Sequence, residues 1–191
     1  MNIIIDSINS SIKVKEELLN NLYTQDKILE VASSIVSSLK LGGRIYFCGN
    51  GGSAADAQHL AAELSGRFYM DRQALAAEAL HSNTSYLTAV ANDYGYDVVY
   101  SRIIEGVGKK NDVLIGISTS GNSKNIVLAL EAANKIGMQT IGLTGENGGN
   151  MKEISKIWIP AASNDTPRIQ ETHILIGHII CQLVEHGFFL N

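Results

Sequence analysis

The chain is predicted to fold as an α/β protein, a doubly wound parallel sheet flanked by helices, with a long helical segment in front of it. Three observations carry this. From residue 44 onward, short apolar runs alternate with stretches of helical periodicity, joined by short loops. Two apolar runs, Ile45 to Cys48 and Val113 to Ile117, end abruptly in loops rich in glycine and hydroxyls, and each loop is followed by a helical pattern. The apolar runs are nearly continuous and do not alternate with polar residues, as expected of strands covered on both faces.

In order along the chain, residues 3–40 read as helix throughout, because Ile5, Ile8, Ile12, Leu18, Leu22, Ile28 and Ile35 recur at helical spacing. Leu41-Gly42-Gly43 ends that segment. We take residues 1–40 as a helical segment used in oligomer packing and 41–191 as the α/β domain. A strand is expected at 44–48, a helix at 53–65, a strand near 74–80, a helix at about 83–92 and a helical stretch at 96–106. Then follow strand 112–118, helix 123–136, strand 139–144, a short helix 149–155, strand 156–161 and a long helix from about 167 to 188.

Composition narrows the function. Of the 191 residues, 45% are hydrophobic and 18% charged, which supports a full core and argues against disorder. A net charge of −4, with no basic cluster longer than Lys109-Lys110, argues against a nucleic-acid partner. Cys48 and Cys181 are far apart in apolar runs, which fits small buried thiols in a reducing compartment. No membrane span is expected, and no signal peptide, since Asp6 breaks the N-terminal apolar run. The expected location is cytoplasmic.

The stretch DVLIGISTSGNS, Asp112 to Ser123, is the most informative. A buried strand that gives way to hydroxyls and a glycine at a helix N-terminus makes a phosphate cradle, since backbone N–H groups and the helix dipole face the anion. Four hydroxyls in Ser118, Thr119, Ser120 and Ser123 exceed what a helix cap needs. Asn50-Gly51-Gly52-Ser53 repeats the plan after the first strand. Neither loop is a P-loop, because no Gly-Lys-Ser/Thr follows, and Ala54 stands where the dinucleotide fingerprint needs its third glycine. No nucleotide cofactor is expected. Two such loops suggest one small, phosphorylated, hydroxyl-rich ligand.

Helix 53–65 carries His59 and Glu63 at i and i+4, so both side chains leave one face. Taken alone, they read as an exposed His–Glu pair. The C-terminal helix, IQETHILIGHIICQLVEHGFF, is apolar nearly all round and yet carries Gln170, Glu171, His173 and His178. Gln170 and His178 lie eight residues apart, roughly 80° in helical phase. If the two helices face each other, His59, Glu63, Gln170 and His178 form a nitrogen/oxygen set that suits a divalent ion such as zinc. A glutamate beside a histidine near a phosphate cradle also suits proton transfer next to a carbonyl.

Taken together, CGNGGSAADAQHLAAELSGRF, Asn92-Asp93, GISTSGNS and PRIQETHILIGHI resemble the phosphoheptose isomerase family, within the sugar isomerase (SIS) fold. The resemblance implies a single SIS-type domain and an isomerase that converts sedoheptulose 7-phosphate to D-glycero-D-manno-heptose 7-phosphate, the first step of bacterial heptose-precursor synthesis for lipopolysaccharide or capsule. It implies a homotetramer with active sites at subunit interfaces. Carried over residue by residue, it makes Glu63 the base and His178 the acid, with His59, Glu63, Gln170 and His178 as the zinc ligands of those members that bind the metal. Asn50, Gly51, Gly52, Ser53, Asn92, Asp93, Ser118, Thr119, Ser120, Ser123, Glu63 and Gln170 would bind the phosphorylated ketoheptose. Arg67 fits the pattern without an assigned contact. Some members have an acid where this chain has Pro167, and Asp165 is a candidate substitute. A non-catalytic SIS protein, binding a replication initiator or sensing a sugar phosphate, is the alternative; it need not keep the helix-borne His and Glu.

Overall fold

A computed structural model describes residues 2–190. Its elements are α1 (Ile3–Asn20), α2 (Leu22–Lys40), β1 (Ile45–Gly49), α3 (Gly52–Ser65), β2 (Ala77–Ala79) and α4 (Thr84–Tyr94). A 3₁₀ turn, Tyr96–Val98, leads into α5 (Val99–Val107), β3 (Val113–Ser118), α6 (Lys124–Ile136), β4 (Gln139–Thr144), α7 (Gly149–Ile154), β5 (Ile157–Pro160) and α8 (Thr166–Phe189). The strands form one parallel sheet in the order β2-β1-β3-β4-β5.

Every residue of β1 and β3 is buried, as their unbroken apolar runs require. Successive side chains enter opposite layers. Ile45, Phe47, Ile115 and Ile117 pack with α2, α3 and α8, while Tyr46, Cys48 and Leu114 pack with α4, α5 and α6. The chain leaves β1 for the first layer and β3 for the second. β1 and β3 are neighbours in the sheet, so their C-terminal ends open a crevice at a topological switch point, where α/β sheets bind ligands. Both glycine/hydroxyl loops rim that crevice.

Some boundaries differ from expectation. The helix expected over residues 3–40 is broken at Asn21, whose Oδ1 accepts the Thr24 N–H at 3.0 Å and starts α2 as an N-cap. The two halves have different fates. Ile28, Val31, Ala32 and Ile35 of α2 join the core against α8 and β5, so this part of the segment packs within the α/β unit. Helix α1 buries only Val14 and leaves Ile4, Ile8 and Ile12 exposed. The strand expected near 74–80 shrinks to three residues at the sheet edge, and the stretch 96–106 divides into the 3₁₀ turn and α5.

Candidate active site

The two loops at the crevice are tied to each other. Asn50 and Asn125 exchange side-chain amide hydrogen bonds of 2.9 Å in both directions, joining the β1–α3 loop to the first turn of α6. The Tyr96 hydroxyl donates to Asn50 Oδ1 at 3.2 Å. In the second loop the hydroxyls of Ser118 and Ser123 lie 2.9 Å apart, and Ser120 Oγ accepts the Asn122 N–H at 3.1 Å. Neither α3 nor α6 has a side-chain bond from its N-cap residue; the N–H groups of Ser53 and Ala54 go to the Asn50 and Gly51 carbonyls, and that of Ile126 to the Ser123 carbonyl and Asn125 Oδ1. Gly121 is obligatory here, with φ +66° and a Cβ position 2.0 Å from the Gly148 carbonyl oxygen. A cleft of about 180 Å³ adjoins this loop, lined by Thr119, Ser120, Gly145, Asn147, Asn164 and Thr166 among others. Apart from Ile169, its walls are backbone, hydroxyls and amides, which suit a phosphomonoester or sugar hydroxyls.

The His/Glu cluster lies further along α3. His59 Nε2 is 3.2 Å from Glu63 Oε1, as the i, i+4 spacing dictates, and 2.9 Å from His178 Nε2 on α8. The donor atoms of His59, Glu63 and His178 all fall within 4.8 Å of one another. Side-chain exposures of 49% for His59 and 25% for Glu63 leave the cluster open to a solute. Zinc bonds near 2.0–2.1 Å place tetrahedral nitrogen ligands about 3.3 Å apart, so this donor set and its spacing fit such an ion with room for substrate oxygens.

What brings the two histidines together is a glycine. Gly177, next to His178, lies where a Cβ would stand 2.5 Å from both methyl carbons of Leu60, the neighbour of His59. Helix α8 can therefore lie close against α3. Gln170 sits eight residues before His178, about 12 Å along α8, and its amide covers Gly52, where a Cβ would be 2.5 Å from Gln170 Nε2. In this arrangement Gln170 serves the loop end of the site.

The other expected residues are placed as follows. Asn50, Gly51, Gly52 and buried Ser53 form the first loop, and Ser118, Thr119, Ser120 and Ser123 the second. Asn92 and Asp93 bond to each other at 2.8 Å on the exposed end of α4; the contact from that region to the loop comes from Tyr96. Arg67 and Pro167 are exposed, as is Asp165, whose side chain makes no cap bond.

Several residues that sequence reasoning did not single out shape the site. Phe68 stacks on the His178 ring, with centroids 5.5 Å apart and planes 29° apart. Glu185 of α8, only 1% exposed, accepts the N–H groups of Phe68, Tyr69 and Met70 and the Nε–H of Arg72. Burial by itself would raise the Glu185 carboxyl, but these donors outweigh it and hold the group below the usual carboxylate range. Arg72 also donates to the carbonyls of Glu63, Leu64 and Gly66.

Comparison with known proteins agrees with the fold. The SIS-domain family profile matches residues 9–145, and the chain belongs to that family. Within it the relatives are isomerases. A phosphoheptose isomerase from Clostridium acetobutylicum is 48% identical over 188 residues, covering 98% of this chain and 96% of the relative. One from Akkermansia muciniphila is 55% identical over 162 residues, covering 85% and 86%. The solved phosphoheptose isomerase from Neisseria gonorrhoeae superimposes with a TM-score of 0.89 at 41% identity, over 95% of this chain and 96% of that one. That from Francisella tularensis gives 0.91 at 35% identity, over 96% of each. The chain is a member of the phosphoheptose isomerase family.

Proposed function

We propose that the protein isomerises sedoheptulose 7-phosphate to D-glycero-D-manno-heptose 7-phosphate, feeding heptose-precursor synthesis. The observation that carries this is the convergence of Glu63 with His59 and His178, beside a switch-point crevice rimmed by hydroxyl-rich loops. The Ser118–Ser123 loop and the start of α3 hold the phosphate. This remote grip orients the carbonyl end of the open-chain sugar. Glu63 removes a proton from C1 of the ketose, the C1–H electrons form the C1=C2 bond, and the C2 carbonyl oxygen takes a proton from His178. The resulting enediol gives its C1 hydroxyl proton back to His178 as C1=O forms, and the C1=C2 electrons take at C2 the proton held by Glu63. General acid–base catalysis of this kind contributes roughly 10²–10⁴ in rate.

His59, Glu63 and His178 are the residues that would hold zinc, one ion per subunit, with Gln170 as the fourth ligand that the resemblance implies. A bound divalent ion supplies Lewis-acid polarisation and stabilises developing oxyanion charge. We further propose a cytoplasmic homotetramer with sites at subunit interfaces, supported by two free buried thiols and by the exposed apolar face of α1. A non-catalytic role is disfavoured because it needs none of the His/Glu convergence.

The test is incubation of the purified protein with sedoheptulose 7-phosphate in D₂O. Aldose signals that grow in with deuterium at C2 are the expected result, with zinc assayed on the same sample. Absence of both aldose and exchange would overturn the reading.

A further inference from the structure

Glu63 sits in the last turn of α3, which ends at Ser65, and helix ends fray because their final carbonyls lack partners. A general base there needs an external anchor. Arg72 provides one: its two terminal nitrogens donate to the Glu63 carbonyl at 2.8 Å and the Leu64 carbonyl at 2.7 Å. The cation also complements the negative end of the helix dipole. Its Nε–H is held at 2.8 Å by Glu185, and both side chains are 2% exposed. The same carboxylate accepts the Phe68 N–H at 3.0 Å, and Phe68 lies stacked on His178. Glu185 and His178 share α8, seven residues apart.

One buried ion pair therefore braces both halves of the acid–base cluster. We propose that Arg72 and Glu185 are positioning residues for the isomerase site: Arg72 locks the terminal turn that carries Glu63, and Glu185, through Phe68, locks the face of the His178 ring. This rests on the isomerase reading, and it assigns a catalytic consequence to an ion pair that would otherwise serve stability alone. The pair touches neither loop at the crevice, so phosphate binding should be indifferent to it.

The experiment compares wild type with Glu185→Gln and Phe68→Leu. Glu185→Gln keeps the shape and one acceptor while removing the charge; Phe68→Leu leaves the ion pair intact and folds even if the first variant does not. Three quantities are measured on folded, monodisperse protein: kcat, KM, and competitive inhibition by inorganic phosphate. A fourth is the ¹H–¹³C imidazole resonances of His178, which feel the Phe68 ring current whether or not the protein turns over any sugar. Each variant should lose roughly 10- to 100-fold in kcat, the range for outer partners of a site. KM and phosphate inhibition should stay within about twofold and the His178 resonances should move. Unchanged kcat in both folded variants would overturn the proposal, as would a loss of kcat matched by an equal loss of phosphate affinity. An inactive wild type with shifted His178 resonances in the variants would instead refute the isomerase reading while leaving the bracing intact.

Discussion

Glu63 and His173 show how differently two titratable side chains of one layer behave. Glu63 is accessible and paired with His59, and it is the base in the proposed reaction. Glu63→Gln should lower kcat by at least about 10²-fold, the lower end of what acid–base catalysis supplies, with phosphate inhibition unchanged. Near-native turnover in that variant would remove Glu63 as the base. His173 lies 1% exposed, with Nε2 3.0 Å from the Thr144 carbonyl, so Nε2–H is the donor. Its Nδ1 is buried without a partner. Burial pushes its pKa down to about 4, against about 6.5 in the unfolded chain. The sign follows from the charged form being disfavoured in the fold. Above about pH 6.5 both states are neutral; as pH falls from there toward the folded value, the unfolded state alone takes up the proton and stability is lost. Between pH 7 and 5 this amounts to about 2 kcal/mol. His173→Phe should be less stable at pH 7 yet show a drop on acidification smaller by that amount. Urea unfolding at the two pH values, at fixed protein concentration, decides it.

At the level of elements, the contact of α3 with α8 is what assembles the cluster, and Gly177 permits it. A glycine in a helix interior costs about 1 kcal/mol relative to alanine, so its presence in the middle of α8 needs a packing reason. Leu60, 2% exposed, cannot yield easily to a new methyl group. Gly177→Ala should therefore destabilise by about 1–3 kcal/mol, lower the melting temperature by several degrees, and reduce kcat about tenfold by parting His59 from His178. A variant with raised melting temperature and full turnover would show that helix propensity outweighs the contact. Helix identity was readable from spacing, as was the sharing of one α3 face by His59 and Glu63. The break at Asn21 is not legible in the spacing, because apolar periodicity continues across it while the cap depends on one side-chain bond to Thr24.

For the whole molecule, α1 is the telling part. Ile4, Ile8 and Ile12 are 72%, 54% and 47% exposed on a helix that buries only Val14. A groove of about 470 Å³ runs beside it between α1, α2 and α8, lined by Leu18, Leu19, Ile28, Leu175, Ile179 and Leu183 among others. In the proposed oligomer a second copy would cover this surface with a self-complementary apolar face. Ile8→Glu with Ile12→Glu should reduce the particle mass measured by light scattering and lower activity with it. An unchanged mass would show that these isoleucines lie outside any interface.

By itself the sequence determined the order of elements, the parallel sheet, both glycine/hydroxyl loops and the His59–Glu63 pair, because these depend on periodicity and on neighbours within a turn or two. Only the tertiary structure decided that His178 meets His59 across 119 positions, that Gln170 turns to Gly52, and that Arg72 finds Glu185 across 113. Those outcomes depend on how each helix is rotated and how closely two helices approach. Rotation and approach are settled by packing at contacts such as Gly177 against Leu60, which no local pattern encodes.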